Sequence, residues 1–168
     1  MHADDRESHT VASVYTAAGS SLAQANTILL IQTRGAGFTD LTARMVAWLQ
    51  ATGAGNGLLT VFVRHTSASL LIQENADPDV RRDLLDALDR LAPQSAAYRR
   101  STEGPDDMPA HIRAMLTATS ISVPVIAGRP VFGTWQALYL VEHRAAHHER
   151  EVVLHFVGEI ARTGARAP

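Results

Sequence analysis

Residues 65–85, HTSASLLIQENADPDVRRDLL, decide the fold because they join a predicted strand to a predicted helix through a polar segment. The residues before them, 57–64 (GLLTVFVR), are apolar and rich in β-favouring side chains, which predicts a strand buried on both faces. This strand carries His65 to its end. A turn is predicted over the hydroxyl residues that follow it, Thr66, Ser67 and Ser69.

The second half of this stretch predicts a helix. Asp77 is placed to accept backbone N–H groups as the N-cap, and Pro78 suits the first helical position. An apolar stripe follows at spacings of four, four and three residues: Val80, Leu84, Leu88 and Leu91. Glu74 and Asn75 lie just before the helix, near the positive end of its dipole, where anions bind readily. We therefore predict that residues 65–85 hold the active region.

The composition indicates an ordinary folded domain. The chain has 168 residues, of which 46% are apolar, which predicts one domain over residues 10–168 after a frayed segment 1–9. The net charge of −2 argues against nucleic acid as a partner. No apolar run reaches the ~18–20 residues of a membrane span, and residues 1–10 lack a secretory-signal pattern. The absence of cysteine fits a cytoplasmic location, and it leaves only the eight histidines and the carboxylates as metal ligands.

Elsewhere the pattern predicts more strands than helices. Strands are predicted over residues 11–16, 27–33, 119–126, 131–142 (with a bulge near Gly133) and 151–158. One helix is predicted from an N-cap at Thr39 to near Gly53, with Leu41, Met45, Trp48 and Leu49 on one face, and another over residues 108–116. Residues 54–57 predict a turn, and residues 92–107 and 143–149 predict loops. Together these predict an α+β fold: a single domain with a largely antiparallel, β-sandwich-like sheet core and a few flanking helices.

The candidate chemistry depends on histidines and carboxylates. No metal-helix motif, phosphate loop, nucleophile elbow or dinucleotide fingerprint is present, and nothing places a Ser-His-Asp triad. We predict a site built from His65, Glu74, Asp77 and His111, with arginines from residues 98–104. Imidazole and carboxylate groups can hold a divalent metal, and arginines with a helix N-terminus can hold phosphate. Two alternatives stay open: Asp77 can be a helix cap alone, and His111 an ordinary solvated histidine.

Four blocks of the chain, in order, resemble the YjbQ-type family, also called the secondary thiamine-phosphate synthase enzyme family. They are HTSASLLIQENADPDVRRDLL (65–85), EGPDDMPAHIRA (103–114), GRPVFGTWQALYLVEHR (128–144) and FVGE (156–159), and the resemblance covers roughly residues 10–160. It implies a mixed α+β domain, usually assembled as a homotrimer, and a divalent metal such as zinc or magnesium. It also implies weak thiamine-phosphate synthase activity, which joins a pyrimidine pyrophosphate to a thiazole phosphate and releases pyrophosphate.

The resemblance further implies site residues near subunit boundaries. As catalytic groups it indicates Glu74, Asp77, Asp107 and His111, and as metal ligands His65 and His111. As substrate-binding groups it indicates Thr66, Asn75, Arg100, Glu103, Thr134, Trp135, Gln136 and Glu142, with Gly133 beside them. A metal and arginines would stabilise the charge on the leaving pyrophosphate, and Trp135 can either stack on a heterocyclic ring or belong to the core. We expect His65 and His111 to come within reach of a shared metal or water.

Two positions depart from the family pattern. Arg100 stands where the family commonly has a histidine, which weakens a metal site or supplies an anion-binding group. Ala146-His147-His148 replaces a His-Gly-Gly run. The alternative to an enzyme is a trimer that binds a metal or a small phosphorylated molecule without turnover. The two differ in whether substitution of Glu74, Asp77 or His111 abolishes turnover or only ligand binding.

Overall fold

Two antiparallel sheets form the core of the protein in a computed structural model that describes residues 22–100 and 102–161. The strands are β1 (Ala23–Gln32), β2 (Gly37–Asp40), β3 (Ala54–Val63), β4 (Ala68–Glu74), β5 (Ser120–Ile126), β6 (Arg129–Pro130), β7 (Gln136–Glu142) and β8 (Glu149–Ile160). The helices of these residues are α1 (Thr42–Ala51), α2 (Pro78–Leu91) and α3 (Asp107–Leu116). A large sheet has the strand order β1-β8-β3-β5-β6, and a small sheet has the order β2-β7-β4. The predicted α+β fold with an antiparallel, sandwich-like core is confirmed.

The inward side chains of both sheets and of helix α1 form one buried cluster. Leu59 of the large sheet, Leu140 of the small sheet and Met45 of α1 are completely buried in it. Burying a side chain of this size contributes about 1.5–3 kcal/mol relative to leaving it in water. This cluster therefore holds the two sheets and α1 together.

Gly57 and Gly158 are paired across strands β3 and β8, and neither has room for a side chain. A Cβ atom at Gly158 would lie 2.3 Å from the carbonyl oxygen of Asn56 and 2.6 Å from the Cα of Gly57. The ring of Phe156 fills the space beside both glycines, since its Cζ lies 2.7 Å from the position that either Cβ would take. This packing explains the glycine in the closing FVGE block.

The stretch around His65 differs from its prediction. Strand β3 includes residues 54–57, which the sequence predicts as a turn, and only one of its faces is buried, because Leu58 and Phe62 are 45% and 43% exposed. The predicted turn is followed by the unpredicted strand β4, in which Ser69 is buried. Strand β4 pairs with β7 along its whole length. This long-range pairing overrides the weak strand propensity of the small polar residues around Ser69.

Two further predictions are wrong. Thr39 is not an N-cap but lies in β2, paired with Leu140, and the Asp40 carboxylate instead accepts the N–H of Thr42 at 2.7 Å. The predicted strand 131–142 is reduced to β7, because the Gly133 N–H donates to Oε1 of Gln136 at 2.8 Å and closes a turn before it. The predicted strands 27–33, 119–126 and 151–158 and the helix 108–116 are confirmed with small shifts of their ends. The predicted strand 11–16 and the frayed segment 1–9 lie outside the described residues.

Helix α2 begins as predicted but packs differently. The Asp77 carboxylate accepts the N–H of Asp79 at 2.8 Å, and Pro78 is the first helical residue. Its apolar stripe is only partly covered, because no residue of α2 is buried and Leu91 is 67% exposed. In the described part of the chain, no helix is both long and apolar enough to cross a membrane.

Replacing Gly158 by alanine tests the glycine pair. Because a Cβ would overlap backbone atoms of β3, Gly158→Ala should lower the free energy of unfolding by about 1–3 kcal/mol or more, measured by urea denaturation. Gly133→Ala is the matched control, since its Cβ would meet only the end of the flexible Gln136 side chain, at 3.3 Å. Equal stability of the two variants would show that strands β3 and β8 can accommodate a Cβ atom at position 158.

Candidate functional site

A buried ion pair joins the ends of β7 and β8. Arg150 donates from Nε to Oε2 of Glu142 at 2.7 Å and from Nη2 to Oε1 at 2.6 Å, and both side chains are 1% exposed. The same carboxylate accepts the Thr33 hydroxyl at 2.9 Å and two backbone N–H groups at 3.0 Å, those of His143 and Arg144. Burial acts to raise the pKa of Glu142, but the hydrogen bonds from Arg150 and from the Arg144 backbone outweigh it and hold the pKa below its ordinary value.

A short chain of hydrogen bonds leads from this pair to His65. Nη2 of Arg150 lies 3.2 Å from Oγ of Ser67, which in turn lies 3.0 Å from Nδ1 of His65. The Ser67 N–H also donates to Nδ1 of His65, at 3.1 Å. Burial, and next the positive charge of Arg150, lower the pKa of His65. His65 is therefore held in place by a buried cation through a buried serine.

His65 and His111 line one open cavity of about 510 Å³, which we call the histidine cavity. Its polar side chains are Arg64, His65, Thr66, His111 and Thr119, and its apolar wall includes Phe62 and Met115. Nδ1 of His111 lies 3.1 Å from the carbonyl oxygen of Thr66. The structure thus places the two predicted histidines and Thr66 around one cavity, and a metal or water shared by the histidines stays a prediction.

Asp107 anchors a cluster of charges beside His111. Its carboxylate accepts Nε of Arg100 at 2.6 Å and Nη1 of Arg144 at 2.7 Å, and it lies 3.6 Å from Nε2 of His111. Arg100 also pairs with Glu103. Arg100 thus contacts Glu103 and Asp107, and Glu103 contacts Arg100 and Arg144. These contacts give both residues a structural role at the start of α3. Asp107 itself, 2% exposed, positions His111 and is buried away from solvent.

The remaining predicted residues lie at the other end of β4. A second cavity of about 370 Å³, which we call the tryptophan cavity, is lined by Ile72, Gln73, Glu74, Ala76, Trp135 and Gln136. The Asn75 N–H donates to the Trp135 carbonyl oxygen at 3.0 Å, and the Trp135 ring is 63% exposed, so Trp135 is not a core residue. Asp77 caps α2, and Thr134 is exposed nearby.

Strand β4 separates these two groups within one chain. It spans seven residues from Ala68 to Glu74, which is ~20 Å at the usual rise of a strand. The site predicted from His65, Glu74, Asp77 and His111 is therefore not assembled within one chain. The sequence suggested otherwise because the residues between His65 and Glu74 were predicted to turn rather than to extend as β4.

The residues of the histidine cavity do not form a metal site in one chain. Among the described residues, no group of three or more histidines and carboxylates lies close enough to hold a metal ion. Asp107 is occupied by Arg100 and Arg144, and Nδ1 of His65 is occupied by Ser67. The divalent metal stays a prediction.

Sequence reasoning missed Ser67, Arg150 and Arg144 as parts of the site. One signal for Arg150 was present, since the alternation of β8 places it on the inward face with Val152 and Leu154, where a charge needs a partner. Arg144 pairs with Asp106 and Asp107, and this pairing depends on the return of the chain after β7, which no local pattern reveals.

His143 is a buried neutral histidine beside this network. Its Nε2 lies 2.8 Å from Oγ of Ser69, and it is 2% exposed. Burial, and next the positive charge of Arg113, lower the pKa of His143 to about 4. The folded protein therefore keeps His143 uncharged at neutral pH.

Comparisons with known proteins agree with the resemblance seen in the sequence. The family model described as "UPF0047 protein YjbQ-like" matches residues 26–159. A UPF0047 protein of Synechocystis is 52% identical over 134 residues, which cover 79% of this chain and 91% of that protein. UPF0047 protein YjbQ of Escherichia coli is 43% identical over 103 residues, 61% of this chain and 75% of that protein.

Two solved structures share the fold. A conserved hypothetical protein of Thermus thermophilus is 35% identical with a TM-score of 0.67, and the match covers 76% of this chain and 97% of that one. A YbjQ-like protein of Sulfolobus solfataricus has a TM-score of 0.77 at 23% identity, over 83% of this chain and 100% of that one, which shows the fold alone.

The neutral state of His143 predicts how stability depends on pH. In the unfolded chain His143 takes up a proton near pH 6.5, whereas in the folded chain it does so only near pH 4. The contribution of His143 to the free energy of unfolding is therefore complete above pH 6.5 and is lost as the pH falls toward 4. The loss should reach ~3 kcal/mol, measured as the free energy of unfolding at a series of pH values. In His143→Gln this part of the slope should disappear, while His147→Gln, at an exposed histidine, should keep it. An unchanged slope in His143→Gln would exclude a buried neutral histidine at this position.

Breaking the buried pair should cost far more than breaking an exposed one. Arg150→Met leaves the Glu142 carboxylate buried without its cation, which should lower the free energy of unfolding by about 3–5 kcal/mol. Arg64→Met, which breaks the half-exposed pair with Glu151, should cost no more than ~1 kcal/mol. The double variant Glu142→Leu/Arg150→Met should recover much of the stability that Arg150→Met loses, because it removes the unpaired carboxylate. A double variant as unstable as Arg150→Met would show that the unpaired, buried Glu142 carboxylate is not the cause of the loss.

Proposed function

Because this chain belongs to the YjbQ-like UPF0047 family, we propose that it binds a small phosphorylated molecule in the histidine cavity, as a cytoplasmic protein with thiamine-phosphate synthase-like transferase activity. The reaction joins a pyrimidine pyrophosphate to a thiazole phosphate. A carbon–nitrogen bond forms, a carbon–oxygen bond breaks, and pyrophosphate leaves with the bonding electrons. The family resemblance supplies this reaction, and the cavity supplies the physical support for it.

One observation carries this proposal: a single open cavity combines a polar rim with an apolar wall. The rim offers the guanidinium of Arg64, the imidazoles of His65 and His111 and the hydroxyls of two threonines. Such donors stabilise phosphate oxygens, most strongly where negative charge develops on a leaving group. The wall of Phe62 and Met115 suits the flat, apolar face of a heterocyclic ring.

A second observation favours the alternative, a binding protein without turnover. Among the described residues, no carboxylate lines the histidine cavity, and the nearby Asp107 and Glu142 are bonded to arginines. Glu74 and Asp77, the other predicted catalytic carboxylates, lie ~20 Å away at the far end of β4. Among the described residues, the lining of the histidine cavity therefore has groups that can bind phosphate, and His111 is the general base that it offers.

In this proposal the chain assembles as a homotrimer, in which a neighbouring copy brings its tryptophan cavity to the histidine cavity. The outer face of the large sheet supports such an assembly, because it exposes apolar side chains that a single chain leaves in water: Ile28, Leu30, Leu58, Phe62 and Val157 are 38–51% exposed. Phe62 belongs both to this face and to the wall of the histidine cavity. A copy packed on the face would therefore also close the open side of the cavity.

Product formation tests the proposed activity. The purified protein is incubated with the pyrimidine pyrophosphate and the thiazole phosphate, with and without magnesium or zinc, and thiamine phosphate and pyrophosphate are quantified. His111→Ala should lower the rate by about a hundredfold or more, since His111 is the acid–base group that this proposal assigns to the cavity. His147→Ala is the control, because this exposed histidine does not line the cavity. Binding of both substrates without product would instead identify a binding protein.

Mixed assemblies test the shared site. The variants Glu74→Gln and His111→Ala should each be inactive, and trimers formed from both together should recover a fraction of the native rate, because some sites then combine native Glu74 with native His111. Sedimentation should give three times the chain mass of 18.1 kDa. A fully active Glu74→Gln variant, or a mixture with no activity, would rule out a site shared between copies.

A further inference from the structure

The two histidines of the histidine cavity have opposite hydrogen-bonding partners. Nδ1 of His65 faces the backbone N–H of Ser67 at 3.1 Å, and Nδ1 of His111 faces the carbonyl oxygen of Thr66 at 3.1 Å. A backbone N–H can only donate, and a carbonyl oxygen can only accept. Nδ1 of His65 therefore carries no proton, whereas Nδ1 of His111 carries one. In the neutral ring of His65 the proton is therefore on Nε2, which is a donor. Nε2 of His111 lies 3.6 Å from the Asp107 carboxylate, so His111 has an acceptor on each side of its ring.

The Ser67 hydroxyl adds to this constraint on His65. Nη2 of Arg150 donates to Oγ of Ser67 at 3.2 Å, and a guanidinium has no acceptor to offer in return. Nδ1 of His65, at 3.0 Å, is the acceptor that the described residues offer to the hydroxyl proton. Ser67 and Arg150 are 2% and 1% exposed, so solvent does not compete for these bonds.

We infer that Ser67, oriented by Arg150, is a positioning residue that keeps His65 in the Nε2–H form, so that His65 binds an oxygen acceptor of the ligand, such as a phosphoryl oxygen, rather than a metal ion. This inference rests on the proposed function for the choice of ligand, and it assigns the two histidines different roles. His65 donates to an unprotonated oxygen. His111 lies between two acceptors, the Thr66 carbonyl oxygen and the Asp107 carboxylate, and has no such fixed donor for the ligand.

The partners of a metal-bound histidine give an independent argument. A histidine that ligates a metal through Nε2 normally donates its Nδ1–H to a carbonyl or carboxylate oxygen. His111 fits this pattern through the Thr66 carbonyl, whereas His65 meets two donors at Nδ1 and would have to bind the metal as an imidazolate. The pair His65 and His111 is therefore not a two-histidine metal site, which disagrees with the roles that the family resemblance implies for them.

Nitrogen NMR of the native chain tests the inference without any substrate. Long-range proton–nitrogen correlation spectra of protein labelled with ¹⁵N-histidine distinguish the two neutral ring forms. At neutral pH, His65 should show an unprotonated Nδ1 and a protonated Nε2, and His111 a protonated Nδ1. Assignment comes from His65→Ala and His111→Ala. A protonated Nδ1 at His65 would overturn the inference, whatever the activity of the protein.

Ser67→Ala tests the positioning role. Without the hydroxyl, His65 should show a mixture of both neutral ring forms, and the affinity for inorganic pyrophosphate, measured by calorimetry, should fall by a few fold. The spectra of Ser67→Ala also report whether the variant is folded, since the His143 signals depend on an intact core. If Ser67→Ala is folded and its His65 spectrum is unchanged, the backbone N–H alone fixes the ring form of His65. That result would reject the positioning role of the serine hydroxyl.

Substitutions of His65 separate a hydrogen-bond donor from a metal ligand. Glutamine can place an N–H donor near the position of Nε2, whereas asparagine reaches only the position of Nδ1. Pyrophosphate affinity should fall by about tenfold in His65→Ala and His65→Asn and much less in His65→Gln. Zinc affinity, measured in parallel without pyrophosphate, should be the same in all three variants as in the native chain. Zinc binding that is lost in His65→Gln while pyrophosphate binding needs zinc would identify His65 as a metal ligand.

Discussion

The bidentate ion pair between Glu142 and Arg150 is the constraint on which the site depends. It joins β7 of the small sheet to β8 of the large sheet at the end where the β3–β4 turn and the β7–β8 loop also lie. Removing two charges from water costs several kcal/mol per ion, and in this protein five hydrogen bonds accepted by Glu142 offset that cost. A well-packed apolar pair would often be equally stable. The ion pair therefore makes more sense as a support for the histidine cavity than as a source of stability.

The cation of this pair determines the electrostatics of the cavity. Arg150 is neutralised by Glu142, and the Nη2 that donates to Glu142 also donates to Ser67 and, through it, faces His65. Burial and this charge together lower the pKa of His65, so an uncharged imidazole lies beside the half-exposed guanidinium of Arg64. Uncharged donors fixed by buried partners need no reorganisation when an anion binds. This preorganisation is the physical reason for preferring the histidine cavity over the tryptophan cavity as the place where phosphate binds.

The sequence predicted those parts of the structure that depend on local pattern. The cap at Asp77 and the strand and helix periodicities behind the fold class follow from side-chain chemistry over a few residues. The placement of His65 and His111 on one cavity joins residues 46 positions apart, and it was expected from the family resemblance. The errors arose where a distant strand decides the outcome. Pairing with β7 turns Thr39 into a strand residue and extends residues 68–74 as β4, and it thereby separates Glu74 from His65. The contact between Ser67 and Arg150 was not predicted because it joins residues 83 positions apart in the chain.

The polar groups at the two ends of β4 have different bonding partners. This difference indicates which end of the strand can bind a ligand. At the Glu74 end, Asp77 caps a helix, and the backbone oxygen of Glu74 lies 3.4 Å from both Arg81 and Tyr139. These groups are engaged with one another, since Asp77 binds the start of α2 and both Arg81 and Tyr139 contact the Glu74 carbonyl oxygen. At the His65 end, the supporting groups are buried while the ring nitrogens stay accessible from an open cavity. Rigid support beneath accessible donors is what binding an anion requires, and a single chain has it at the His65 end.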